Sequence, residues 1–128
     1  MALLLDTHTF LWFIADDPRL SRLAAERIGD PAERVVVSVV CAWEIAIKIS
    51  IGKLVLDRPL PDLWPESLLL NAFEALNVTA AHIFELASLP LHHRDPFDRL
   101  LIAQARAENL QIVSGDVSFD AYEVERIW

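Results

Sequence analysis

The sequence predicts an α/β domain built on a mostly parallel sheet covered by helices. Short apolar runs alternate with longer segments of helical period, which is the pattern of βαβ units. The first two runs are β-strand-like and stop abruptly at polar residues, Asp6 and Ser38. A length of 128 residues with 54% apolar side chains suits one domain with a real core. No repeat, low-complexity tract or composition shift divides the chain, so residues 1–128 read as a single domain.

Ala2–Leu5 reads as a brief buried strand, with a helix beginning near Thr7. Leu20, Leu23, Ala24 and Ile28 recur at helical spacing until Asp30-Pro31 closes the segment. Val35–Val37 is a second, β-branched strand. Ser38 then caps a helix from Val39 to about Ile51, stopped by Gly52. Leu54–Pro65, with three prolines, reads as a connector, followed by a helix over about Glu66–Phe73 and an extended piece, Ala75–Val78. Thr79 caps a helix carrying Ile83, Leu86 and Ala87 that Pro90 ends. Asp95-Pro96 opens the strongest helix, running to about Asn109, because proline suits the first helical position directly after an aspartate cap. Gln111–Ser114 is a further parallel strand, and Glu123–Trp128 adds one at an edge.

Composition narrows the function classes. A single cysteine, Cys41, forms no internal disulfide and reads as a small buried apolar residue. The opening Met-Ala-Leu-Leu-Leu-Asp has no cationic region and reads as no signal peptide. The longest apolar stretch, Val35 to Trp43, falls short of a membrane helix and contains Ser38, so a cytoplasmic location away from membranes is expected. Eleven basic against nineteen acidic residues leave a formal charge of −8, which at face value opposes nucleic-acid binding.

The position of the acids changes that inference. Asp6 follows the first strand, where ligands bind in an open parallel sheet, although a helix-capping role explains it equally well. Glu44 has Val40, Cys41 and Ile47 as helical neighbours, so it rides an apolar face and must be paired, protonated or metal-bound. Lys48, four residues on, offers an intrahelical pair. Asp98 lies in the first turn of its helix above Ile102 and Ala105, where it serves either as a ligand or as a capping acid. Asp95 is more simply the cap itself. Asp116 follows the strand that ends at Ser114. Four acids thus converge on one rim of one sheet, a cluster whose like charges raise pKa values unless cations compensate. Oxygen-only ligands with no Cys or His cluster point to Mg²⁺ or Mn²⁺, whose chemistry is phosphoryl transfer.

Several spaced motifs then resemble one family. They are Leu3-Leu4-Leu5-Asp6-Thr7-His8; Ser38 with Trp43-Glu44-Ile45, Lys48 and Gly52-Lys53-Leu54; His92 through Asp98-Arg99 into Ile102-Ala103-Gln104-Ala105; Ser114-Gly115-Asp116; and Ile127-Trp128. The chain resembles PIN-domain ribonucleases, and among them the VapC toxins of toxin–antitoxin pairs. The resemblance implies a three-layer α/β/α fold with Mg²⁺ or Mn²⁺ held by Asp6, Glu44, Asp98 and Asp116. It matches the family's hydroxyl to Thr7, and Ser114 stands where members usually carry threonine. It implies cleavage of structured RNA, transfer or ribosomal, by a homodimer that a VapB-type antitoxin silences; operator DNA is met only through that antitoxin.

Other residues fill supporting places in this reading. Lys48, Lys53, Arg94 and Arg99 flank the acid motifs, where they meet RNA phosphates or pair with neighbouring acids. Lys48 and Arg99 are the stronger candidates for positioning substrate. Trp12, Trp43 and Trp64 are candidates for stacking on unpaired bases, with core or interface packing the better reading for Trp43. His82 reads as an ordinary helical residue, and His92 and His93 as local hydrogen-bonding or surface groups. Two other function classes compete: a catalytically silent RNA- or protein-binding module of the same fold, and a phosphatase with an aspartate nucleophile, which lacks a second acid because position 8 is histidine.

Overall fold

The computed structural model describes residues 1–92 and 95–128. Leu3–Leu5 forms β1, at the middle of a five-stranded sheet of order β3-β2-β1-β4-β5 with Val35–Ser38 as β2, Glu74–Leu76 as β3, Gln111–Val113 as β4 and Arg126–Ile127 as β5. Every neighbouring pair is parallel. Leu3, Leu4 and Leu5 are all completely buried. Successive strand residues face opposite sides, so both faces of β1 are covered, as in the three-layer α/β/α arrangement. That double burial explains why β1 and β2 read as unbroken apolar runs.

The helices are α1 (Thr7–Ile14), α2 (Arg22–Gly29), α3 (Val39–Ser50), α4 (Leu60–Asn71), α5 (Ala80–Ser88) and α6 (Pro96–Glu108), with a 3₁₀ turn over Val117–Ala121. Their starts follow local chemistry. Asp6, Ser21, Ser38 and Asp95 accept amide hydrogen bonds as caps of α1, α2, α3 and α6. At the other ends, Gly52 (φ +75°) and Asn109 (φ +56°) turn left-handed just beyond α3 and α6, where such a conformation stops a helix.

The helix expected from Glu66 instead begins at Leu60, inside the stretch read as a connector. Pro61 lies in the first turn, where its missing amide has no intrahelical partner to lose. Pro65 does forfeit one bond within the helix. Tertiary packing outweighs that loss: Leu63 is buried, and Trp64 meets Phe10 with ring centroids 5.3 Å apart. The extended piece also lies slightly earlier than expected, as Glu74–Leu76.

His82 is no ordinary helical residue. It is fully buried, its Nδ1 accepts the Thr79 amide at 3.0 Å, and its Nε2 lies 2.8 Å from Glu108 Oε1. Because the amide is a donor, Nδ1 carries no proton and Nε2–H donates to the carboxylate. One ring therefore caps α5 and ties it to α6. His82→Ala is expected to lower stability by about 2–4 kcal/mol, through a cavity and an uncapped amide, as measured by the urea unfolding midpoint.

The topology selects one edge of the sheet. From β1 the chain builds first to one side, through β2 and β3, and then to the other, through β4 and β5. The C-terminal ends of β1 and β4 flank that switch point, where open α/β sheets bind ligands. Leu5 pairs with both Val37 and Val113, so Asp6, Ser38 and Ser114 come level at that edge.

Candidate functional site

Asp6 is buried and held on both oxygens. Its Oδ1 accepts the Thr9 amide at 2.8 Å as the cap of α1, while its Oδ2 accepts the hydroxyl of Ser114. Ser114 Oγ in turn accepts the Asp116 amide at 3.0 Å. One hydroxyl thus links the strand-end acid of β1 to the backbone of the acid after β4. Thr9 adds a second tie that the sequence did not signal, its hydroxyl donating to Val113 O at 2.8 Å.

Glu44 sits on the inner side of α3, 7% exposed, and also has both oxygens engaged. Thr7 Oγ1 donates to Oε1 at 2.7 Å, and Lys48 Nζ lies 2.9 Å from Oε2. The intrahelical pair expected between Glu44 and Lys48 is present. It does not exhaust the carboxylate, since each oxygen has a second lone pair.

Asp98 occupies the first turn of α6 behind the Asp95 cap, whose Oδ1 accepts the amides of Phe97 and Asp98 at 2.9 and 3.2 Å. Burial first, and then the charges of Asp95, Glu44, Asp6 and Asp116, together push the Asp98 carboxyl up to about 7 from the ordinary 3.8. All four predicted acids therefore share one electrostatic neighbourhood. Asp116 is its exposed member, its Oδ1 accepting the Ser118 amide at 2.9 Å. Beneath the cluster lies Cys41, whose thiol burial drives up to about 12, with the charges of Asp6, Glu44 and Asp98 adding to the rise. It is an inert filler there, as expected of a buried thiol.

These residues fit a hard divalent cation by their chemistry: carboxylate oxygens, partly desolvated, with their conformations set by caps and hydroxyls. Among the described residues, no three Asp, Glu, His or Cys side chains converge closely enough to hold an ion as they stand. The arrangement is a cluster of mutually unfavourable charges near one another rather than a closed cage, and a bound cation would remove the cost recorded in the Asp98 shift.

Some supporting residues are placed differently from expectation. Arg99 Nη1 donates to Pro90 O at 2.9 Å and to the Tyr122 hydroxyl at 3.2 Å, so this guanidinium ties the loop before α6 to Tyr122. The His92 amide joins the same hydroxyl. Trp43 is 51% exposed and meets Phe97 edge-on at 4.7 Å, outside the core. Trp12 and Trp64 pack against Trp128 and Phe10. His93 and Arg94 lie outside the described residues. The sequence reading missed Arg126, whose Nη1 donates to Ser114 O at 3.1 Å. An arginine in a strand-like tail carries no sequence signal for such a contact.

The Asp98 shift has a measurable sign. Folded Asp98 binds its proton more tightly than unfolded aspartate, so the stability it contributes is complete below pH 3.8 and is lost as pH rises through about 7. Metal-free protein is expected to lose that component across this window, and Asp98→Asn is expected to abolish the loss. Urea midpoints of both proteins over the range check it.

Comparison with known proteins agrees with this architecture. A family model described as PIN domain matches residues 3–125. No curated protein matches in sequence. Among solved structures, the chain is similar to VapBC2 from Rickettsia felis bound to a promoter DNA fragment (TM-score 0.74, 16% identity, covering 99% of this chain and 98% of that one). It is also similar to DNA-bound VapBC from Salmonella typhimurium (0.71, 17%, covering 99% and 97%) and FitAcB from Neisseria gonorrhoeae (0.69, 19%, covering 98% and 96%). At such identities the likeness establishes shared fold. The family match spans nearly the whole domain and the sheet switches direction where the acids gather, so this chain belongs to the PIN-domain family.

Proposed function

We propose that this protein is a VapC-type toxin, an endoribonuclease dependent on Mg²⁺ or Mn²⁺ that hydrolyses phosphodiester bonds in structured RNA. The observation that carries the reading is the set of four carboxylates at the switch-point edge, where burial and then the neighbouring acids together hold Asp98 up at about 7. Asp6, Glu44, Asp98 and Asp116 would hold the ion. When bound, it supplies a nucleophilic water at neutral pH and charge neutralisation at the phosphodiester.

The rest of the chemistry belongs to the chain. Thr7 holds Glu44 Oε1 and Ser114 holds Asp6 Oδ2, so each of these carboxylates keeps a fixed orientation. Lys48, 30% exposed at its side chain, neutralises Glu44 and is a cation beside the acids with access to a backbone phosphate. With a formal charge of −8 the chain has little general attraction for RNA, so binding depends on local contacts and on the ion.

The similar structures are complexes of VapBC and FitAB type, two of them described as bound to DNA. They support a VapB-type antitoxin as partner, with operator DNA met through it; a homodimeric toxin is proposed from the family resemblance alone. No helix among the described residues is long and apolar enough to cross a membrane, and we place the protein in the cytoplasm. The competing reading, a catalytically silent binding module, draws on the unclosed geometry of the acids.

Brief induction followed by mapping of RNA 5′ ends is expected to reveal new, site-specific cuts that Asp6→Asn reduces by roughly 100-fold or more. Equal cutting by the variant would overturn the assignment. Calorimetry separates the silent module: Mn²⁺ binding is expected to tighten as pH rises through about 7 and to release a proton below that pH, because Asp98 must ionise.

A further inference from the structure

Three consecutive residues of the tail hold the turn that carries Asp116. Ser114 N–H donates to Ile127 O at 3.1 Å, and Ser114 O accepts Arg126 Nη1 at 3.1 Å. Arg126 is itself fixed by a two-pronged pair with Asp120, at 2.9 and 3.0 Å. The third contact is that of Trp128 with Gly115. A Cβ built on Gly115 would stand 3.0 Å from Trp128 Cε2, 3.1 Å from Cζ2 and 3.3 Å from Nε1. Gly115 has no left-handed backbone angle to demand glycine, so its missing side chain serves the approach of the indole.

The indole is braced from behind. Trp128 packs on Trp12 at 6.0 Å between centroids, Trp12 stacks with His8 at 5.6 Å, and the Arg19 guanidinium lies 5.0 Å over the same ring. Trp12 and His8 belong to α1, the helix that Asp6 caps. Asp116 itself is an exposed loop acid, and an exposed carboxylate pays conformational entropy when gathered to a ligand unless its backbone is held.

We infer that Trp128, seated on Gly115, is a positioning residue for Asp116, holding the Ser114-Gly115-Asp116 turn so that the exposed carboxylate stays at the mouth of the acid cluster. This rests on the reading of Asp116 as a metal ligand. The clamp itself is a property of the metal-free protein. Trp12 touches Trp128 but is not among the atoms closest to Gly115, so it serves as the control for general loosening of the aromatic stack.

The test compares Trp128→Ala, Trp128→Phe and Trp12→Ala in the full chain. It uses thermal midpoints, hydrogen exchange of the Asp116 amide without metal, and Mn²⁺ affinity by calorimetry. Trp128→Ala is expected to speed Asp116 amide exchange roughly tenfold and to weaken Mn²⁺ binding roughly tenfold, with Trp128→Phe recovering most of both. Trp12→Ala, which removes the brace but keeps the indole on Gly115, is expected to lower the midpoint and to move both site readouts much less than Trp128→Ala does. The inference is overturned if Trp128→Ala shifts only the midpoint, or if Trp12→Ala moves the site readouts equally. Should the parent bind no Mn²⁺, the metal reading fails and amide exchange still decides the clamp; should Trp128→Ala not fold, Trp128→Phe and Gly115→Ala, which crowds the ring, decide it by the same exchange.

Discussion

The Ser114 hydroxyl is the joint on which the site depends. It gives its proton to Asp6, 108 positions away in sequence, and accepts the amide of Asp116, so a single oxygen couples the two acids. Neither acid could be placed by its own element alone: Asp6 follows a strand of three residues, and Asp116 follows another of three. The parallel pairing of β1 with β4 brings their ends level, and the hydroxyl converts that level register into a defined spacing between side chains. Serine performs this as well as threonine, since both offer one donor and two acceptor lone pairs. What serine lacks is the methyl group that would restrict its rotation, and here Arg126 and Ile127 hold its backbone from the neighbouring strand.

The second constraint is electrostatic. Desolvated carboxylates in one neighbourhood are costly, and each acid in the cluster has a local device that lowers the cost. Asp6 caps α1, Asp98 lies in the first turn of α6 and Asp116 caps the 3₁₀ turn, so three of the four sit where backbone amides point outward and negative charge is favoured. Glu44, in the middle of α3, has no such terminus and uses Thr7 and Lys48 instead. The residual strain falls on Asp98, which is both buried and surrounded by acids. That leaves the rim an anion-rich surface whose natural complement is a cation, whether a metal or the side chain of a partner.

Much of this was readable from the sequence. Asp6 announced itself by its place at a strand's carboxyl end, and Asp98 and Glu44 by their apolar helical neighbours. The parallel strands were legible because burial on both faces leaves a continuous apolar run. Reading failed where distant packing overruled local chemistry. Pro61 and Pro65 signal a connector, and only Trp64 against Phe10 and buried Leu63 show why a helix forms there. His82 looked unremarkable because its partners lie three and 26 residues away, and the ties of Arg99 to Pro90 O and the Tyr122 hydroxyl are not visible from an acid motif next door. Contacts of Gly115 with Trp128 belong to the same class: glycine in a turn suggests backbone freedom, whereas here it makes room.

The sheet order has a consequence for how the protein is made. The central strand β1 is synthesised first, but its β4 neighbour and the Ser114 hydroxyl follow more than a hundred residues later. At ribosomal speeds of about 5–20 residues per second, that interval lasts roughly 5–20 seconds. Throughout it the nascent chain carries Asp6, and later Glu44, without the β4 end that completes their surroundings. The acid cluster of this domain is thereby one of its last features to be completed, because a strand that neighbours β1 in the sheet lies near the far end of the chain.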